Sequence, residues 1–266
     1  MINIAAPVID SEERRAVNEV IESGMLAQGP KVAELEKNWA EYCGVKHALA
    51  VNSGTAAIHC ALYAAGVKEG DEVITTPYSF IATINPILML GAHPVLVDID
   101  EETFNIDVSK TEAAITEKTK AIVPVDLYGQ PCDWTELQEI AKKHDLKIIE
   151  DACQAIGAEY QGVKTGSLGD FGCFSLYATK NIMCGEGGVV TTNSNEAAAA
   201  IRSFRQHGMV APYEYADLGY NYRMSDLHGT IAVEQLKKVE EFTKKRQENA
   251  CKLNDALAGI VGIKTP

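Results

Sequence analysis

Three short stretches of this sequence hold residue types whose spacing could do chemistry. In NSGTAA (52–57) a turn of small residues stands between the apolar run HALAV (47–51) and the helical pattern TAAIHCALYAAG (55–66). A helix that starts there aims the backbone N–H groups of Gly54, Thr55 and Ala56 at one point, which suits a phosphate or another oxyanion. Gly54 has no side chain to hold the anion off, and the Thr55 hydroxyl adds a donor. The same letters also make an ordinary N-cap with no ligand. In EDACQAIGA (150–158) Asp151 closes an apolar strand pattern, where a carboxylate is costly unless it meets a cation or faces a site. Tying down a loop is its other ordinary use. In FSLYATKNIMCGEGG (174–188) Lys180 lies between an apolar strand and a glycine-rich turn. A lysine partly removed from water there gives up its proton more easily and can act as an amine nucleophile; a lysine on a solvated loop does not. No G-K-[ST] follows the first glycine turn and no G-x-G-x-x-G follows the first strand, which argues against nucleotide loops of the Walker and dinucleotide kinds.

The elements that must position these residues alternate. Asp10 and Glu13 have the spacing of a capping box for a first helix, and Pro30 suits the start of a second that runs to about Gly44. Strand patterns at 47–51, 72–76, 94–99, 120–125 and 146–151 are separated by helical patterns at 55–66, 80–91, 109–117 and 133–145. Short apolar runs between helices predict an α/β fold: three layers, α/β/α, around a mostly parallel central sheet. Ligands on such sheets bind beyond the carboxyl ends of the strands. Two further strands, 171–179 and 187–193, flank the glycine-rich turn after Lys180; then come a helix at 195–207, an irregular Tyr- and Gly-rich stretch at 208–223, and one long amphipathic helix over roughly 225–258.

Bulk properties limit the function classes. The 266 residues carry 24 basic and 37 acidic side chains, a net charge of −13, so nothing draws the chain as a whole to nucleic acid or an anionic membrane surface. The seven cysteines form no C-x-x-C pair and several sit in apolar runs, so we read them as reduced, buried small hydrophobes, with no metal site. No apolar run spans a bilayer and the first residues lack a signal-peptide pattern, which gives the expectation of a cytoplasmic protein.

A strand-end Asp, a Lys closing S-x-x-x-x-K and SGTAA at a helix start together resemble the fold-type I pyridoxal-phosphate (PLP) enzymes. NSGTAA, TPYSFIAT, the QPCD turn, EDACQAIGA, FSLYATKN with GEGG, and GYNYRMSDLHGTIAVEQL narrow this to a resemblance with the DegT/DnrJ/EryC1/StrS aminotransferase family, from about Ala6 to the end of the chain. The resemblance implies that Lys180 forms the Schiff base with pyridoxal 5′-phosphate and later shuttles the substrate proton. It implies that Asp151 pairs with the pyridine N–H, which keeps the ring an electron sink. Gln154 is expected near the phenolic oxygen and Phe80 on the ring face, with Gly54, Thr55, Ala56 and Ser175 around the phosphate. Asn221 is expected to reach the phosphate of a neighbouring subunit in a homodimer. Glu186 matches the family without an assigned role.

The implied reaction takes an amino group from an amino acid, glutamate by expectation, to a nucleotide-linked keto-sugar. The alternatives are a PLP-dependent sugar dehydratase, in which a histidine replaces the Schiff-base lysine, and a PLP-binding paralogue without turnover. The expected segments are 1–30, an N-terminal helical piece; 31–240, the PLP-binding large domain; and 241–266, the start of a truncated C-terminal small domain.

Overall fold

The computed structural model describes residues 6–265. The ends of the outermost expected segments, and part of the stretch read for a leader, lie outside those residues. The chain opens with two helices. In α1 (Ser11–Ser23) the capping box forms as read: Asp10 Oδ1 accepts from the Glu12 amide and Glu13 Oε2 from the Asp10 amide. Helix α2 (Pro30–Cys43) starts on its proline and stops at Gly44, whose φ of 70° the left-handed cap requires. The N-terminus of α2 is capped from far along the chain, because buried Asp226 accepts from the amides of Gly29, Lys31 and Val32.

Strands and helices then alternate: β1 (His47–Val51), α3 (Gly54–Ala64), β2 (Glu72–Thr75), α4 (Asn85–Met89), β3 (His93–Leu96), α5 (Val108–Thr111), β4 (Thr119–Ile122), α6 (Trp134–His144) and β5 (Lys147–Asp151). A small hairpin, β6 (Glu159–Tyr160) with β7 (Val163–Lys164), precedes β8 (Phe171–Ser175) and β9 (Gly188–Thr192). After α7 (Asn195–Phe204) come the hairpin β10 (Met209–Ala211) with β11 (Glu214–Tyr215), then α8 (Asp226–Leu236) and α9 (Val239–Leu257).

Seven strands form one sheet in the order β1-β9-β8-β5-β4-β2-β3. All its pairs are parallel except those of β9, which runs antiparallel to both β1 and β8. Strand alternation decides which helices cover which face. Leu49 and Val51 of β1 pack with Ile58 and Leu62 of α3, whereas Ala48 and Ala50 meet Leu35 and Trp39 of α2. Ile149 of β5 joins the α3 side and Ile148 the α6 side, with Trp134 and Leu137. The expected α/β/α sandwich with a mostly parallel sheet is therefore the observed fold. The alternation also puts Asp151, two residues after Ile149, on the α3 side, and Ser175, two after Cys173, on that side as well.

Several boundaries differ from the sequence expectation. The helix expected over 80–91 is a one-turn 3-10 helix, Ile81–Thr83, followed by α4; Pro86 near the start of α4 has no N–H to continue the earlier ladder. The helix expected over 109–117 is shorter, α5 running into a 3-10 turn that ends at Ala114. The strand expected over 171–179 ends at Ser175, where the chain leaves the sheet. The long helix expected over 225–258 is two. Buried α8 packs on α1 and α2 and stops where Lys238 Nζ reaches Asp10 and Glu13 of the α1 start at 2.6 and 2.7 Å. The irregular 208–223 stretch contains the hairpin β10–β11.

Candidate active site

Three chain segments meet on the α3 side of the sheet, at the carboxyl ends of β1, β5 and β8. The first is the start of α3. Ser53 is extended (φ −166°), and its Oγ accepts from the Ala56 amide at 3.1 Å. The cap thus engages the Ala56 N–H, which differs from the expectation of three free amides; those of Gly54 and Thr55 have no acceptor within the described chain. Gly54 presses on the sheet: a Cβ there would stand 2.8 Å from Ser175 Cβ and 3.0 Å from Cys153 Sγ. The N-terminal end of α3 is therefore seated directly on the ends of β8 and β5.

The second segment is the end of β5. Asp151 is 4% exposed. Its Oδ2 accepts from Thr83 Oγ1 at 2.8 Å and its Oδ1 from the Cys153 amide at 3.2 Å. Its main chain is fixed as well, the N–H donating to the Pro124 carbonyl and the C=O accepting from the Asp126 amide. Two neutral donors hold this buried carboxylate from within the chain, and a cation on its cavity side would complete it.

The third segment is the 176–187 loop between β8 and β9. It is closed by hydrogen bonds from the Leu176 amide to Gly187 O and from the Cys184 amide to Leu176 O. The Lys180 amide donates to Tyr177 O at 2.9 Å, and Asn181 Nδ2 pins the loop to Ile156 O. Lys180 is half-buried in this frame. Cys153 stands close by. Burial, with a smaller push from Asp151 and against a pull from Lys180, drives its thiol well above the usual range, so it does not compete as a nucleophile.

A cavity of about 550 Å³ joins the three segments and is lined by Gly54, Thr55, Phe80, Asp151, Gln154, Ser175, Lys180 and Glu186. A larger hollow of about 830 Å³ lies at the other end of the strands, around Lys147, Asp170 and Asn193, and none of the residues singled out from the sequence line it.

The sequence profile of the DegT/DnrJ/EryC1/StrS aminotransferase family matches residues 7–266. The chain belongs to this family. It is 47% identical to the GDP-perosamine synthase of Caulobacter vibrioides, over 92% of this chain and 67% of that protein. Among solved structures, Helicobacter pylori PseC, an aminotransferase in pseudaminic acid biosynthesis, superposes with a TM-score of 0.93 at 36% identity, covering 97% of this chain and 71% of its own. A GDP-4-keto-6-deoxymannose-3-dehydratase, ColD, superposes equally well, with a TM-score of 0.93 at 30% identity over 96% of this chain and 73% of its own. The family is one of PLP-dependent enzymes, so PLP is the cofactor of this aminotransferase fold.

The residues present fit that group. Gly54 and Thr55 supply free amides, and Ser175 a hydroxyl, for a phosphate; Asp151 offers a buried carboxylate for a protonated pyridine; Lys180 offers an amine to the same cavity. Gln154 Oε1 accepts from the Tyr128 amide at 3.3 Å, which leaves its Nε2 as the donor end. Phe80 lines the cavity and is 70% exposed.

Two of the expected residues lie elsewhere. Ala56 is buried under the cap, and Asn221 is exposed outside this cavity, its carbonyl accepting from Asn52 Nδ2 at 3.3 Å. Conversely, sequence reasoning passed over Ser53, Thr83, Cys153, Tyr177 and Thr179, which also line the cavity. Thr83 had a signal: it ends the SFIAT motif three residues after Phe80, the spacing of one 3-10 turn. Among the described residues no helix is long and apolar enough to cross a membrane.

Proposed function

We propose that this chain is a sugar aminotransferase that moves an amino group from an amino-acid donor, glutamate, to a keto-sugar carried on a nucleotide, with Lys180 as the residue that bonds the cofactor. The observation that carries the reading is the meeting of Lys180, Asp151 and the free Gly54 and Thr55 amides in one cavity at the carboxyl ends of the strands. Bound PLP supplies an aldehyde that takes up an amine and an electron-withdrawing ring that stabilises negative charge on the substrate carbon. The rest falls to the protein. The α3 start binds the phosphate through its amides and dipole. Asp151, with one oxygen held by Thr83 and the other by the Cys153 amide, would accept the ring N–H. Phe80 would cover one ring face, and Gln154 would donate through Nε2 to the phenolic oxygen. Lys180 Nζ would be the group that moves the proton at the substrate carbon.

A homodimer completes this reading. Asn221 stands outside its own chain's cavity, on a segment fastened by Asn52 to the turn between β1 and α3, which supports a role toward the phosphate of a partner subunit. The Caulobacter relative named as a GDP-perosamine synthase supports a nucleotide-linked sugar as the acceptor.

Borohydride reduction followed by mass spectrometry tests the covalent step: the PLP mass is expected on the peptide containing Lys180 and absent from a Lys180→Ala variant. Adding glutamate to the unreduced protein is expected to remove the visible absorbance band. Donor-derived nitrogen is then followed with ¹⁵N-glutamate. Label in the sugar product supports transamination, whereas a deoxygenated sugar without label assigns the ColD-like reaction instead. Absence of PLP from reduced wild-type protein sinks the proposal.

A further inference from the structure

We propose that Thr83 is a positioning residue of the cofactor site, whose hydroxyl ties the turn carrying Phe80 to the carboxylate of Asp151 and so sets the ring-face and ring-edge contacts as one unit. The inference rests on the PLP reading given above. Thr83 is 1% exposed and closes the 3-10 turn Ile81–Thr83, whose cap is Phe80; its amide donates to Phe80 O at 3.0 Å. Its Oγ1 lies 2.8 Å from Asp151 Oδ2 and 2.9 Å from Ser79 Oγ.

The direction of these bonds follows from counting hydrogens. A hydroxyl has one, and a carboxylate oxygen only accepts. The Thr83 hydrogen therefore goes to Asp151, and Ser79 donates to Thr83. The result is a chain from Ser79 through Thr83 to Asp151, in which each bond polarises the next. With its hydrogen used, Ser79 Oγ turns only lone pairs toward the cavity it lines.

Asp151 Oδ1 is held separately by the Cys153 amide. Two donors on two oxygens fix the carboxylate plane; one donor leaves the broad terminal torsion of an aspartate free to swing. Removing the Thr83 hydroxyl thus loosens the edge contact, and it also cuts the polar tie between β5 and the turn that presents Phe80.

The test compares wild type with Thr83→Val, Thr83→Ser and Ser79→Ala, each checked for fold by circular dichroism. PLP is titrated into apoprotein, and the pH dependence of the visible band of the holoprotein is recorded. Valine keeps the shape and removes the donor, so Thr83→Val is expected to weaken PLP binding about 10- to 100-fold and to move the pH midpoint of the band. Thr83→Ser is expected to restore both. Ser79→Ala, at a half-buried site, is expected to move the midpoint in the same direction by less. A folded Thr83→Val protein with wild-type affinity and midpoint overturns the inference, as does a loss that serine does not restore, which marks packing alone. If the valine variant does not fold, an unmoved midpoint in Ser79→Ala overturns it. Wild-type protein that takes up no PLP defeats the underlying reading, whereas normal PLP uptake with indistinguishable variants defeats only the role of Thr83.

Discussion

Replacing Gly54 by alanine adds one methyl group at the point where the N-terminus of α3 rests on the sheet. The new Cβ would stand 2.8 Å from Ser175 Cβ, 3.0 Å from Cys153 Sγ and 3.3 Å from Ser175 Cα. Carbon atoms settle at roughly 3.5–4.0 Å, so the closest contact is short by about 0.7–1.2 Å. Neither neighbour is a flexible tip: Ser175 is 7% exposed at the end of β8, and Cys153 Sγ is held against the Cys173 carbonyl at 3.7 Å. The strain is relieved by lifting the start of α3 off β8, which carries the Gly54 and Thr55 amides out of line with Ser175.

Overpacking of this kind costs about 1–3 kcal/mol, and for a chain of this size each kcal/mol lowers the melting temperature by about 2–4 °C. The expected outcome is a lower melting temperature in differential scanning fluorimetry, together with a PLP dissociation constant raised about ten-fold or more, the equivalent of about 1.4 kcal/mol. If the α3 start holds the phosphate as proposed, inorganic phosphate competes for the same amides and is expected to displace PLP from wild type more effectively than from the variant. Unchanged melting and unchanged affinity would refute the packing argument. Lowered melting with unchanged affinity would refute the assignment of the α3 start to the phosphate.

Other substitutions probe the frame around the site. Arg205, 4% exposed, pairs with Glu36 and donates to the Ala50 carbonyl at 2.6 Å; Arg205→Met leaves Glu36 without its cation and is expected to cost about 3–5 kcal/mol in urea denaturation, and a loss near zero would show that the pair is dispensable. Asp126 and Glu150 are both fully buried on the face of the sheet away from the cavity. Burial pushes the Asp126 carboxyl from 3.8 up to about 6, against hydrogen bonds from Cys132 and Trp134, and burial next to Asp126 drives Glu150 up as well. An acid with a raised native pKa holds its proton in the folded state after the unfolded chain has lost it, so these groups lower stability as pH rises from about 4 through 6. Asp126→Asn keeps an acceptor for Cys132 and Trp134, and its melting temperature is expected to fall less over that range than that of wild type. Parallel melting-versus-pH curves would contradict this.

The boundaries and the chemistry were legible to different degrees, for reasons visible in particular residues. Regular elements with their own local signals were read correctly: the Asp10–Glu13 box, Pro30 and Gly44 around α2, and the β–α alternation from His47 to Asp151 each depend on neighbours in sequence. The breaks that were missed depend on distant partners. The division between α8 and α9 falls where Lys238 is drawn to Asp10 and Glu13, more than two hundred residues away in the chain. Likewise, the engagement of the Ala56 amide by Ser53 is a choice between two acceptors, a cap or a ligand, that the same letters allow.

The sequence by itself determined the family, the fold class, and half of the residues around the cavity: residue type and short-range spacing carry a glycine at a helix start, an acid closing an apolar strand and a lysine after S-x-x-x-x-K, and the family resemblance carries the others. Only the tertiary structure decided that these residues share one cavity, since the parity of β5 and β8 puts Asp151 and Ser175 on the face that α3 covers. It alone supplied Thr83, whose partner lies 68 positions further along the chain. A hydrogen bond between distant segments leaves no periodicity in the sequence, because its geometry exists only after the chain has closed on itself.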